Sequence, residues 1–283
     1  RQLYYWRVMQ FRSGENSGWS ENWSFRVDTV PPGLPTLVWP ADEENENDAT
    51  PNLDWSLPPE NSYPLVSHIQ VARDIFFNDL VENTLVLDDN FITSFLPDNV
   101  YYWRVRVRDN AGNWGNFTTR RSFRVDTVPP AVPTQSTPEN NGWANENVTF
   151  SWSQVQENSL PVTYHLLVSQ TSDFTSIVVD VWTTENTHTV TLYEYPYWWK
   201  VEARDDAGNG SGWSPVWTFK VDNTRPTQVQ LAAPDNNQHV LEGTITLRWY
   251  HASDPFGSGL LAYWLEVDNE PTFASPKIYE NYN

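Results

Sequence analysis

The stretch Tyr101-Tyr102-Trp103-Arg104-Val105-Arg106-Val107-Arg108-Asp109-Asn110-Ala111-Gly112-Asn113 decides the fold. At period two it places Tyr101, Trp103, Val105 and Val107 on one face and Tyr102, Arg104, Arg106 and Arg108 on the other. That alternation predicts a half-buried antiparallel strand, and Asp-Asn-Ala-Gly-Asn is turn chemistry that ends it. The pattern returns as Tyr197-Trp198-Trp199-Lys200-Val201, running on to Asp206-Ala207-Gly208-Asn209, and in part as Tyr4-Tyr5-Trp6-Arg7-Val8. Trp6, Trp103 and Trp199 are therefore spaced by 97 and 96 residues.

A repeat of that length dictates how 283 residues are divided. The segment Asp28-Thr29-Val30-Pro31-Pro32 recurs as Asp126-Thr127-Val128-Pro129-Pro130 and, loosened, as Asp222-Asn223-Thr224-Arg225-Pro226. Proline fixes φ and lacks a ladder donor, so each of these points ends one sheet and opens the next domain. The expected division is residues 1–30 (the last two strands of a domain), 31–128 and 129–224 (complete domains), and 225–283 (the first strands of another). The connections are short and proline-stiffened rather than Gly/Ser tethers.

Inside each period the strands are short. Trp55, Trp152 and Trp249 stand 97 residues apart on successive copies of a second strand. His68-Ile69-Gln70-Val71, His165-Leu166-Leu167-Val168 and Trp264-Leu265-Glu266-Val267 are copies of the next. Further strands are expected near 80–87 and 177–182, and another through Phe95-Leu96-Pro97. No helical period is sustained. Seven short strands in about 97 residues predict an all-β chain of tandem sandwiches, incomplete at each end. The structural core is expected around Trp6, Trp55, Trp103, Trp152, Trp199 and Trp249. A buried tryptophan removes ~200 Å² from water, worth up to about 5 kcal/mol, which suits a core that has no disulfide.

Trp55, Leu96-Pro97 before Tyr101-Tyr102-Trp103-Arg104-Val105, and the terminal Ser122-Phe123-Arg124-Val125-Asp126 resemble fibronectin type III domains. The similarity extends to the immunoglobulin-like repeats of bacterial and archaeal surface proteins and covers the whole chain. It implies an extracellular, cell-surface protein with a structural role as a rod, filament or surface-layer-like assembly. The alternative it leaves open is an adhesin stalk, or a carbohydrate-binding or spacer region of a large secreted enzyme. No Arg-Gly-Asp sequence occurs, so integrin-type binding has no support.

Composition narrows the function further. A net charge of −19 and a pI near 4.4 repel nucleic acid and anionic membranes. There is no cysteine for a disulfide or a thiolate metal site, and no apolar run approaches the ~20 residues of a membrane span. Arg1 opens directly on a strand, so the native start is expected elsewhere. The five histidines (68, 165, 188, 239 and 251) are scattered, and no nucleophile elbow or phosphate loop is present. No catalytic or cofactor-binding residue is assigned, and an enzyme is not expected. His68 and His165, at one strand position in successive copies, read either as a repeated metal or pH site or as half-exposed strand residues.

Calcium is a candidate cofactor, with Asp109, Asn110, Asp126, Asp205, Asp206 and Asp222 as hard oxygen ligands near domain ends. The competing reading is an Asx-type turn in which Gly112 and Gly208 take positive φ. Asn22, Asn116, Asn147 and Asn209 fit the N-glycan acceptor pattern. Tyr102, Trp198, Trp114, Trp213 and Trp217 are glycan-stacking platforms, contacts between neighbouring domains or, with Arg104, Arg106 and Arg124, a ladder of stacked aromatic and guanidinium planes. The acidic run 42–48 opposite the Arg-bearing face suggests lateral mating. The partial domains at the two ends admit two readings: continuation of the same chain in a longer array, or head-to-tail self-association by strand donation.

Overall fold

The computed structural model describes residues 2–60, 62–254, 258–260, 262–273 and 279–282. Packing divides the chain into two compact units: Arg1–Val132 with Val155–Thr163 and Ala203–Gly212, and Pro133–Gln154 with Tyr164–Glu202 and Trp213–Asn283.

The first unit opens with β1 (Gln2–Trp6), β2 (Phe11–Arg12), β3 (Glu15–Asn16) and β4 (Trp23–Val27). β1 and β4 pair antiparallel, Tyr4 opposite Phe25 and Gln2 opposite Val27. A complete sandwich follows: β5 (Thr36–Trp39), β6 (Glu44–Glu46), β7 (Asn52–Ser56), β8 (Val66–Ala72), β9 (Leu80–Val86), β10 (Asn90–Ile92), β11 (Asn99–Arg108) and β12 (Arg121–Val125). One sheet has the order β10-β7-β5 and the other β6-β12-β11-β8-β9. The alternating apolar residues of β11 point between them, and Tyr101, Trp103 and Val105 pack with Leu53, Trp55 and Ile69 in one fully buried cluster.

The second sandwich repeats this order. Its strands are β13 (Gln135–Thr137), β14 (Gly142–Ala144), β15 (Asn147–Trp152), β16 (Thr163–Ser169), β17 (Ile177–Thr183), β18 (Thr187–Thr191), β19 (Pro196–Arg204) and β20 (Trp217–Val221). The sheets run β13-β15-β18 and β14-β20-β19-β16-β17. Phe150 meets Trp199 edge-on at 5.2 Å, and Tyr197 stacks on Phe219 at 5.6 Å, inside the core. The chain closes with β21 (Gln230–Ala233), β22 (Arg248–Tyr250), β23 (Trp264–Val267) and β24 (Tyr279–Tyr282), paired as β21-β22 and β23-β24. The molecule is all-β, built of tandem β-sandwiches.

The structure departs from the sequence expectations in three places. Each sandwich has eight strands, not seven, because β6 and β14 pair parallel with β12 and β20. Neither Glu-Asn-Glu nor Gly-Trp-Ala carries an alternation, so the pairing comes from tertiary context. Phe95-Leu96-Pro97 is not a strand. β10 ends at Ile92, and Leu96 is held by its amide donating to the Ala49 carbonyl at 2.7 Å. Finally, Trp55, Trp103, Trp152 and Trp199 are buried, but Trp6 is 48% exposed and Trp249 only half buried. Those two lie on two-stranded sheets, β1-β4 and β21-β22, where the matching sheets of the complete sandwiches have five and three strands.

Candidate functional site

Three side-chain arrangements recur from one repeat to the next, and the polar candidates fall into them. The first is the turn after β11. Asp109 is buried; its Oδ1 accepts the Asn113 amide at 2.9 Å and its Oδ2 the Asn113 carboxamide at 2.9 Å. The same Asn113 nitrogen also donates to the Asp28 carbonyl at 3.0 Å. After β19 the arrangement is reproduced: Asp205 accepts both donors of Asn209 at 2.8 and 2.9 Å, and Asn209 donates to the Asp126 carbonyl at 2.8 Å. Gly112 and Gly208 close these turns at φ +97° and +94°, where a Cβ would be strained. Gly115 is needed for another reason: a Cβ there would lie 2.9 Å from the Pro32 carbonyl of the preceding connection.

The calcium candidates lie in and beside these turns. Both oxygens of Asp109 and of Asp205 already accept amide donors. Asp126 Oδ1 takes the Val128 amide, Asp222 Oδ1 takes the Thr224 amide, and Asp206 Oδ2 takes the Asn45 carboxamide at 2.7 Å. Asn110 is exposed, its backbone amide on the Ser62 carbonyl. Among the described residues no group of three or more His, Cys, Asp or Glu side chains is placed to hold one metal ion.

The second arrangement is a ladder on the outer face of the larger sheet. Arg104 lies between Phe77 and Phe117, its Cζ 3.9 and 4.2 Å from the ring centres, and Arg106 lies 4.5 Å from both Phe117 and Trp114. Arg104 also donates to Gln70 Oε1 at 2.7 and 2.9 Å, and Arg106 Nε to His68 Nδ1 at 3.1 Å. In the second sandwich Lys200 sits 4.4 Å from Phe174 and 4.3 Å from Trp213. His165 stacks on Trp182 at 4.2 Å and reaches Asp180 at 2.7 Å. In the N-terminal segment Arg7 lies 4.2 Å over Trp19. The rungs are cation–π and planar stacking contacts. They place His68 and His165 within the ladder, not in a metal cluster. Tyr102 and Trp198 are half-buried on the same face.

A third device was not anticipated from the sequence. The residue after the ladder aromatic clips its segment to the central strand. Ser20, Thr118 and Ser214 each accept, on the side-chain oxygen, the amide of Val8, Val105 and Val201 respectively, at 3.0, 3.2 and 3.0 Å. Each returns its own amide to the carbonyl of the same valine. The signal was present in Ser17-Gly18-Trp19-Ser20, Gly115-Asn116-Phe117-Thr118 and Ser211-Gly212-Trp213-Ser214. Of the glycan acceptors, Asn22, Asn116 and Asn147 are exposed. Asn209 is not available without breaking the turn, since its carboxamide nitrogen makes two hydrogen bonds.

No family model matches the sequence, and no curated protein matches it. Among solved structures the chain is similar to the FN1-FN3 domains of chicken CNTN1, at 15% identity over 77% of each chain with a TM-score of 0.44. It is also similar to the fibronectin(III)-like modules of CbhA from Clostridium thermocellum, at 13% identity, covering 74% of this chain and 100% of that one, with a TM-score of 0.44. Likeness at these identities and TM-scores leaves function to the residues.

Proposed function

We propose that the chain is a non-catalytic structural protein of the cell exterior, whose tandem sandwiches form a filament or surface-layer-like assembly. One observation carries this reading: the chemistry-bearing side chains recur at matching positions in successive repeats and close on the chain itself. The Asp109–Asn113 and Asp205–Asn209 turns and the Arg104 and Lys200 rungs are paired internally. A catalytic or ligand site would instead gather unlike groups once, around a shared concavity. No helix among the described residues is long and apolar enough to cross a membrane.

Gold-labelled antibody on intact and on permeabilised cells tests the location and the assembly together. The reading predicts labelling of intact cells along extended surface material. Labelling confined to permeabilised cells would overturn it. A second reading, a carbohydrate-binding or spacer region, is favoured by outward aromatics such as Trp182, 46% exposed. Glycan binding lost on Trp198→Ala and Tyr102→Ala would establish that reading instead.

A further inference from the structure

We propose that two copies of this chain pack side by side through the first sandwich, the carboxylate edge at β6 of one lying along the arginine row of β11 of the other. The inference rests on the structural reading above and names the lateral partner.

Arg104, Arg106 and Arg108 stand at alternate positions of β11, so their positions repeat every ~6.7 Å along one face. Arg124 on β12, opposite Val100, adds a fourth charge to that face. The neighbouring outward positions hold Gln70, His68, Asn83, Leu85, Ser122 and Asn45, none of them acidic. Among the described residues no carboxylate lies within ion-pair distance of these four arginines. Stacking on Phe77, Phe117 and Trp114 covers guanidinium faces but leaves the charges uncompensated, in a chain whose net charge is −19. Burial first, and Arg106 next, hold Arg104 below the ordinary arginine value.

β6 is the complementary edge. It is the outermost strand of the same sheet, paired on one side only. Glu44 and Glu46 alternate along it at the same ~6.7 Å repeat, and Glu43 and Asp48 flank them, exposed. Burial first, then the Glu44 carboxylate, push Glu46 above the ordinary carboxylate range, and Asp48 adds to this. The pleat keeps edge and row apart within one molecule. Glu44 and Glu46 pair with Phe123 and Val125, which point into the core, whereas Asn45 pairs with Arg124 on the outer face. Two like-charged rows of one pitch, each repelling itself and barred from the other by the pleat, are relieved together by a second copy. The second sandwich lacks both halves. Its row reads Lys200, Glu202, Arg204, with Glu202 3.4 Å from His165, and its β14 edge, Gly142-Trp143-Ala144, carries no carboxylate. Row and edge are present together in one sandwich and absent together from the other, as mutual recognition requires.

Sedimentation of the full chain over ~5–200 μM tests this. In ~0.05 M salt the unmodified chain is expected to associate with rising concentration, and about tenfold more weakly in ~0.5 M salt, because charge pairs at a rim are screened. Arg108→Glu with Arg124→Glu breaks the row, and Glu43→Lys with Glu44→Lys breaks the edge. Among the described residues none of these four side chains hydrogen-bonds to the rest of the fold, and Arg108 alone meets a ring, Trp114 at 5.2 Å. Each double variant alone is expected to associate about fivefold more weakly or less still. Mixed in equal amounts they are expected to associate again, since the first keeps its edge and the second its row. Misfolded chains would not recover on mixing. An unmodified chain that stays monomeric at ~200 μM in low salt, or variants that regain nothing when mixed, would overturn the proposal. So would Arg108-dependent binding of polygalacturonate by a chain that does not self-associate, which would assign the row to an anionic polymer. Surface labelling of cells remains the separate test of the structural reading.

Discussion

Asn113 holds the Asp28 carbonyl at 3.0 Å while the same nitrogen lies 2.9 Å from Asp109 Oδ2, and Asn209 repeats this with Asp126 and Asp205. A single carboxamide thus satisfies a buried carboxylate and also ties the turn to the aspartate that ends an earlier strand. Removing it leaves a buried acceptor short of donors, which is the expensive way to lose a hydrogen bond. Asn209→Ala is expected to cost about 1–3 kcal/mol in urea unfolding. Asn209→Asp should cost more, because it sets a second carboxylate against Asp205. A change below about 0.5 kcal/mol for both would show the clasp to be ornamental.

Equivalent tryptophans should behave unequally. Trp103 is fully buried, so Trp103→Ala is expected to cost about 3–5 kcal/mol. Trp6, at the same repeat position but 48% exposed, should cost less than about 1 kcal/mol in the dilute monomer. Thermal melts of the two variants side by side check the contrast, and equal losses would contradict the burial.

The ladder should respond to aromatic identity rather than to charge alone. Phe117 stacks against both Arg104 and Arg106. Phe117→Ala is expected to cost about 1–2 kcal/mol, and Phe117→Trp, the residue type at 213, almost nothing. Denaturant midpoints at low and high salt check this, because stacked and half-buried rungs are screened less than surface ion pairs.

Alkaline stability follows from Tyr101 and Tyr197. Burial pushes both phenols above their ordinary range, and each donates its hydroxyl backwards, to the Pro97 carbonyl at 2.7 Å and to the Tyr193 carbonyl at 3.0 Å. Above pH ~10 the unfolded chain loses these protons while the fold keeps them. Stability is therefore full below the unfolded value and falls as pH rises towards the folded one. Unfolding free energies from pH 8 to 11 should show a decline that begins near pH 10. Tyr101→Phe should flatten it while lowering stability at pH 8. A decline unaffected by Tyr101→Phe and Tyr197→Phe would assign it to other groups.

The repeat and the sandwich were legible because alternation on β11 and β19 is a backbone-scale signal, renewed at every period. The turn chemistry of Asp109 and Gly112 was legible for the same reason. Three things were not. β6 pairs through its backbone within an acidic run, so its side chains announce nothing. The Asn113–Asp28 bond joins residues separated by a whole sandwich, beyond any local pattern. The burial of Trp6 could not be read from its copies, because a tryptophan's environment depends on the sheet opposite and the motif specifies only its own strand. The roles of the candidate calcium ligands could not be read from sequence, because Asp and Asn serve turns and ions with the same oxygens and only geometry shows which donors those oxygens accept.

Single-molecule pulling of the 283-residue chain between inert handles tests most directly whether it consists of separately cored, load-bearing sandwiches. Two discrete unfolding events are expected, one for each complete sandwich. Each should release about 300 Å, at roughly 3.3–3.6 Å per residue over 36–125 or 135–221. One event of twice that length, or a gradual extension with no events, would contradict it.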